Sequence, residues 1–197
     1  MSSDYFESQN DRDCTIHSLN NAFGRAVVDK DEVLAHIEKV VEKQVQGLHR
    51  KGLGEDDIEK KQKIIRNKYS SGDSFFSADI VWDTAKSAGE FYETIPIPCL
   101  TKPFYRLDVL LLPEIRDKPV VLLGQANGRS NHAIAVRDGM IYDSEKRKEG
   151  PREINEKNMK KSLTQVYGGY VFVKNKSEAA QIKRLLRNIT TFKRENV

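Results

Sequence analysis

A cysteine, a glutamine, a histidine and an aspartate in this chain have the types and settings that acyl-transfer chemistry requires. Cys14 begins an amphipathic run in YFESQNDRDCTIHSLNNAFG, with Gln9 five residues before it. His132 heads NHAIAVRDGMIYDSE, and Asp143 lies near the end of that run. A cysteine nucleophile works as the thiolate, which a helix N-terminus and a neighbouring imidazolium both favour. An imidazole exchanges the proton, and a carboxylate holds that ring in the useful tautomer. The negative charge of the tetrahedral intermediate needs hydrogen-bond donors, for which the Cys14 backbone amide and the Gln9 side chain are the natural pair. These four residues support the expectation of a cysteine hydrolase with Cys14 as nucleophile, His132 as base, Asp143 as orienting residue and Gln9 in the oxyanion hole.

Specific elements must bring them together. Ile16, Leu19, Asn20 and Phe23 recur at helical spacing, so a helix is predicted from Asp13 or Cys14 to the stop at Gly24, with Asp13 a candidate N-cap. Far downstream, Pro119 precedes the apolar run VVLLG, read as a buried strand. Two strand-like runs flank Asp138-Gly139, a hairpin signal because glycine supplies the positive φ such a turn demands. Counting outward from that turn pairs roughly residue 134 with residue 143, which makes His132 and Asp143 neighbours. Further helices are predicted over about 31–50, with Val33, Leu34, Ile37, Val40 and Val41 as its stripe, then over 55–68, 78–87 with Ser77 as cap, 158–166 and 177–190. A last strand is predicted over 170–174. Helices come first and a mostly antiparallel sheet follows, which is an α+β arrangement.

The bulk properties narrow the class. A chain of 197 residues suits one domain with an appended helix and can bury a real core. Hydrophobic residues make up 38% and charged residues 31%, and no low-complexity tract or repeat interrupts the chain. The formal charge is only +4, and the tail carries all of it: Lys176, Lys183, Arg184, Arg187, Lys193 and Arg194 stand against Glu178 and Glu195. A basic helix can meet an acidic partner, a nucleic acid or an anionic membrane, but a solvated helical face is the plainer reading. Two cysteines, Cys14 and Cys99, make no disulfide framework. No apolar run reaches the length of a membrane span, and the polar, acidic N-terminus is unlike a signal peptide. A reducing, intracellular setting, cytoplasmic or nuclear, is therefore expected, with no evident nucleic-acid or membrane partner.

Each candidate residue has a structural alternative. A lone cysteine at a helix start is often a small buried hydrophobe. A lone histidine on a strand is often structural, Asp143 can simply begin a loop, and Gln9 can be exposed. His17, one turn along the helix from Cys14, is a rival base whose position better suits helix packing. The four histidines and two cysteines show no metal-ligand spacing, and the glycines at 52 and 54 precede no phosphate-binding element, so neither metal nor cofactor is expected.

Three segments carry a family resemblance. QNDRDCTIHSLNNAFG is similar to the catalytic-helix motif of Josephin domains, in which a Gln precedes the nucleophilic Cys and an H-x-L-N-N run follows, here His17 to Asn21. SGDSFFSADIVWDTAKSAG resembles the family's G-x-F-S helix start, carried by Gly72, Asp73, Phe75, Phe76 and Ser77. NHAIAVRDGMIYDSE resembles the His strand and the strand that ends in Asn or Asp followed by Ser. The matches come in family order across about residues 5–174. Josephin domains are papain-like cysteine proteases that act as deubiquitinases. The resemblance thus implies Cys14 as nucleophile, His132 as general base, Asp143 as orienting residue and Gln9 as oxyanion donor. It also implies that the helices within 31–68 form a protruding hairpin packed, with the other N-terminal helices, on an antiparallel sheet. Ala133 departs from the aromatic residue that many members carry directly after the catalytic His, which bears on cleft shape.

The resulting expectation is a catalytic domain over 1–174 and a basic helical tail over 175–197. The protein would be a monomer that hydrolyses peptide or isopeptide bonds at the C-terminus of ubiquitin or polyubiquitin. The alternatives are a papain-like peptidase acting on a ubiquitin-like modifier or a peptide, and a catalytically silent ubiquitin-binding module.

Overall fold

Alternation along three strands shows how the chain divides its apolar residues. In the computed structural model, which describes residues 5–7, 13–70, 76–100, 106–126 and 131–191, strand β2 (Val120–Gln125) turns Val121 to one core and Val120 and Leu122 to another. Strand β3 (His132–Arg137) sends Ala133 and Ala135 one way and Ile134 and Val136 the other, and β4 (Met140–Tyr142) does the same with Tyr142 and Ile141. A sheet apolar on both faces must be covered on both faces. With β1 (Glu93–Pro96), β5 (Arg152–Glu153) and β6 (Gln165–Val173), these strands form one antiparallel sheet in the order β1-β6-β2-β3-β4-β5. Pro96 sits on an edge strand, where its missing N–H costs no ladder bond.

The first face is covered by α1 (Cys14–Phe23), α2 (Lys30–His49) and α4 (Ala78–Ser87). Phe172 of β6 is its centre, ringed by Phe23, Trp82 and Phe91 at centroid distances of 4.9 to 5.8 Å, all edge-on. Helix α1 ends at Gly24 in the left-handed region, φ 68°, as its sequence predicts. Asp13 occupies the N-cap position without capping through its side chain, because its backbone is not extended (φ −87°, ψ 45°) as that bond requires. The Ser77 side chain likewise makes no cap bond to α4. Asp29 does cap α2: its carboxylate accepts from the Glu32 N–H at 2.8 Å, and Glu32 returns the bond to the Asp29 N–H at 2.9 Å. Helix α3 (Glu55–Tyr69) buries only Ile58 and folds back on α2, tied there by the two-pronged Arg66–Glu38 pair at 2.7 and 2.8 Å. The pair of helices is thus a hairpin anchored through α2 on α4.

The second face is covered by α5 (Pro113–Arg116), α6 (Glu156–Ser162), α7 (Lys176–Thr191) and the 3-10 turn Leu107–Leu111. The basic helix α7 buries Ala179, Ile182 and Leu186 against the sheet, beside β1 and β6. A helix over 158–166 is not what forms. Asn155 caps the chain earlier, accepting from the Asn158 N–H at 2.8 Å, so α6 ends at Ser162. Gln165 and Val166 are instead taken by β6, paired with Gln125 and Gly124 of β2. The fold is therefore α+β, with seven α-helices and six antiparallel strands among the described residues.

Candidate active site

Helix α1 lies along β3, so the start of the helix comes to the start of the strand. That places Cys14, half-buried and a free thiol, beside His132. The partner carboxylate comes from the hairpin. Asp138 and Gly139 both have positive φ, 53° and 76°, the geometry of a two-residue turn that matches strand twist. The turn sets Arg137 opposite Met140 and Ala135 opposite Tyr142, and the same register carried one step further sets residue 134 opposite Asp143. Across that corner His132 Nε2 lies 3.0 Å from Asp143 Oδ1. On its other side His132 faces Gly124, where a Cβ would stand 2.1 Å from the Gln165 carbonyl oxygen, so only glycine lets β6 approach β2 beside the site.

Both members of the pair are buried, His132 to 4% and Asp143 to 2% exposure. Burial disfavours the charged imidazole, but the hydrogen bonds to Asp143 and Cys14 outweigh it and push His132 up to about 9. Burial also acts against the Asp143 carboxylate. The His132 bond, the Ser162 hydroxyl and the Glu145 backbone N–H, 3.2 Å from Oδ1, prevail and hold it below the usual range. With Nε2 committed to Asp143, Nδ1 is the ring nitrogen left to serve Cys14. The Glu145 carboxylate stands 3.8 Å from that same nitrogen. The arrangement favours an imidazolium at His132, with a fixed carboxylate behind it.

His17, the rival base, is engaged elsewhere: its Nδ1 is 3.2 Å from Glu7 Oε1. Its neighbours in the motif join it. Asn20 Nδ2 donates to Glu7 Oε2 at 2.8 Å, while Asn21 accepts from the Glu7 N–H at 2.6 Å and donates to the Glu7 carbonyl at 2.9 Å. From the hairpin side, Arg137 donates to the Tyr5 carbonyl at 3.2 Å and Phe6 meets Tyr142 edge-on. The polar H-x-L-N-N run therefore holds Glu7 through both its backbone and its carboxylate. Gln9 lies outside the described residues, as do Gly72, Asp73 and Phe75 of the second motif.

Reading the sequence missed what lies behind Asp143. Arg152 of β5, itself buried, brings Nη2 within 3.6 Å of Asp143 Oδ2, donates from the same nitrogen to Ser162 Oγ and pairs through Nη1 with Glu149 at 2.7 Å. No spacing announces these residues, since Arg152 stands among other charged residues and Ser162 closes a short helix. Among the described residues no group of three His, Cys, Asp or Glu is placed to hold a metal ion, and no helix is long and apolar enough to cross a membrane. A cavity of about 510 Å³ opens elsewhere, between α2, α3, α4 and β1, and is lined by Val40, Tyr69, Trp82 and Phe91 rather than by Cys14, His132 or Asp143. The chain matches no protein-family model and no curated protein.

Proposed function

We propose that the protein is a thiol-dependent deubiquitinase of Josephin type, with a papain-like fold, acting as a monomer in a reducing cytoplasmic or nuclear compartment. The observation that carries the proposal is the meeting of Cys14, His132 and Asp143. A half-buried thiol at a helix start touches a buried imidazole raised to about 9, and that ring is bonded at 3.0 Å to a buried carboxylate. The hairpin of α2 and α3 and the three motif resemblances support the narrower family reading.

In this mechanism the Cys14 thiolate attacks the carbonyl carbon of the bond after the last glycine of ubiquitin. The oxyanion receives the Cys14 backbone N–H and, by resemblance, the Gln9 amide. The His132 imidazolium gives its proton to the departing amine, the carbon–nitrogen bond breaks, and a thioester to Cys14 remains. Neutral His132 then takes a proton from water as the oxygen attacks the thioester. Collapse releases the ubiquitin carboxylate and restores the thiolate beside the imidazolium. Asp143 keeps the ring oriented throughout and transfers no proton.

A ubiquitin derivative with a C-terminal electrophile tests the proposal. It should form a one-to-one adduct, mapped by mass spectrometry to Cys14 and absent in Cys14→Ala, which should still bind ubiquitin. No adduct with folded protein, or an adduct only with a ubiquitin-like probe, would reject ubiquitin as the substrate.

A further inference from the structure

The carboxylate that orients His132 is anchored from behind by a second layer. Asp143 presents Oδ1 to His132 Nε2 at 3.0 Å and to the Glu145 N–H at 3.2 Å, which leaves Oδ2 turned toward the Arg152 guanidinium at 3.6 Å. Arg152 is held on two sides: Nη1 donates to Glu149 at 2.7 Å, and Nη2 donates to the Ser162 hydroxyl. That hydroxyl accepts from Arg152 on the side of Asp143 whose Oδ2 is buried without a hydrogen-bond partner of its own. Arg152 and Ser162 are nine-tenths or more buried, so these contacts are not screened as surface ion pairs are. Among the described residues, the other charged groups near this network are Glu145 at the His132 ring and Lys161, whose Nζ stands 4.0 Å from Glu149.

From His132 to Glu149 the charges alternate: imidazolium, carboxylate, guanidinium, carboxylate. An asparagine at 143 would orient a histidine without needing a cation behind it. A buried aspartate does need one, because an isolated buried carboxylate takes up a proton and would then compete to donate to His132 rather than accept from it. Resting on the deubiquitinase reading for its substrate alone, we infer that Arg152 and Ser162 are positioning residues that fix the Asp143 carboxylate, ionised and correctly turned, against His132. Neither reaches the reacting atoms; both act through Asp143. They come from β5 and the end of α6, on either side of the corner that Asp143 occupies, so the site draws its fixed geometry from elements outside the motif-bearing segments.

The test reads the histidine as well as the rate. In full-length protein with ring-15N-labelled histidine, the His132 titration midpoint is followed by NMR in wild type, Arg152→Met, Ser162→Ala and Ser162→Thr. Steady-state hydrolysis of a ubiquitin C-terminal fluorogenic amide is measured on the same samples, with thermal melts to establish folding. In Arg152→Met and Ser162→Ala, the midpoint should fall by about one unit or more and kcat by roughly tenfold with KM unchanged. Ser162→Thr, which keeps the hydroxyl, should restore both. A midpoint that is unchanged in folded Ser162→Ala, or that is unchanged or rises in folded Arg152→Met, as removal of a nearby cation alone would give, would overturn the inference. If the wild type fails to turn over ubiquitin while the midpoints still fall, the substrate reading is refuted and the positioning role stands.

Discussion

Removing the Asp143 carboxylate should cost this protein the charged form of its histidine. The His132 ring stands at about 9 against the ordinary 6.5. At 1.36 kcal/mol per pKa unit, that gap is worth roughly 3 kcal/mol in favour of the imidazolium, net of the burial that opposes it. After burial, the Asp143 hydrogen bond is the largest influence on the ring, and the contacts with Cys14 are smaller. In Asp143→Ala the burial remains, the acceptor is gone, and Arg152 is left near the ring without its carboxylate. His132 should fall back to the ordinary histidine value or below it, and most of that 3 kcal/mol should appear as lost transition-state stabilisation, on the order of 100-fold in kcat/KM. Asp143→Asn keeps an acceptor oxygen for Nε2 and should lose less, about tenfold, while His132→Ala should lose more than either because it removes the proton carrier itself. The assay is kcat/KM on a ubiquitin C-terminal fluorogenic amide at pH 7.5, paired with NMR titration of His132. A His132 midpoint that stays near 9 in Asp143→Ala, or a rate loss equal to that of His132→Ala, would refute the reasoning.

Stability should also follow the raised histidine and the lowered carboxylates. His132 titrates higher in the folded chain than in the unfolded one, so its contribution is complete below about pH 6.5 and lost as pH rises through about 9. Asp143 and Glu7 titrate lower when folded, so their contributions are complete above about pH 4.5 and lost on acidification. Tm measured against pH should therefore peak between those limits and decline toward pH 9, and His132→Ala should flatten the alkaline decline; a wild-type Tm that climbs from pH 7 to 9 would count against the buried imidazolium. Asn20→Ala should be the costliest substitution on α1. Asn20 Oδ1 accepts from the Val27 and Val28 N–H groups at 3.0 and 3.2 Å, and Nδ2 donates to the Val28 carbonyl at 3.0 Å, so truncation strands three buried backbone groups. Urea unfolding should show a loss of roughly 3 kcal/mol or more, and a loss under 1 would mean that these groups find other partners. Asp29→Ala, which breaks the capping box of α2, should cost about 1 kcal/mol in the same measurement with the catalytic rate unchanged.

The parts of this site legible in the sequence are those set by contacts between near neighbours in the chain. The stop at Gly24 follows from a glycine that enters the left-handed region freely, and the stripe of α2 from apolar spacing. The register that brings Asp143 toward His132 follows from Asp138-Gly139, because a two-residue turn leaves one pairing open. Where two local preferences competed, the sequence was not enough. Residues 165 and 166 lie within the span read as helix, but β2 offered them backbone partners and they joined β6. Asp13 has the right residue type for a cap and the wrong backbone angles.

Short stretches of chain encode the candidate residues, the helix that starts at Cys14 and the hairpin that carries His132 and Asp143, so these were legible from residue order alone. Long-range packing lays α1 along β3 and so sets Cys14 against His132. The same packing turns His17 to Glu7 and brings Arg152 and Ser162 in behind Asp143. Those choices depend on burial, which sets how strongly charges act on one another. Burial is a property of how distant segments cover each other, and no local pattern of residues encodes it.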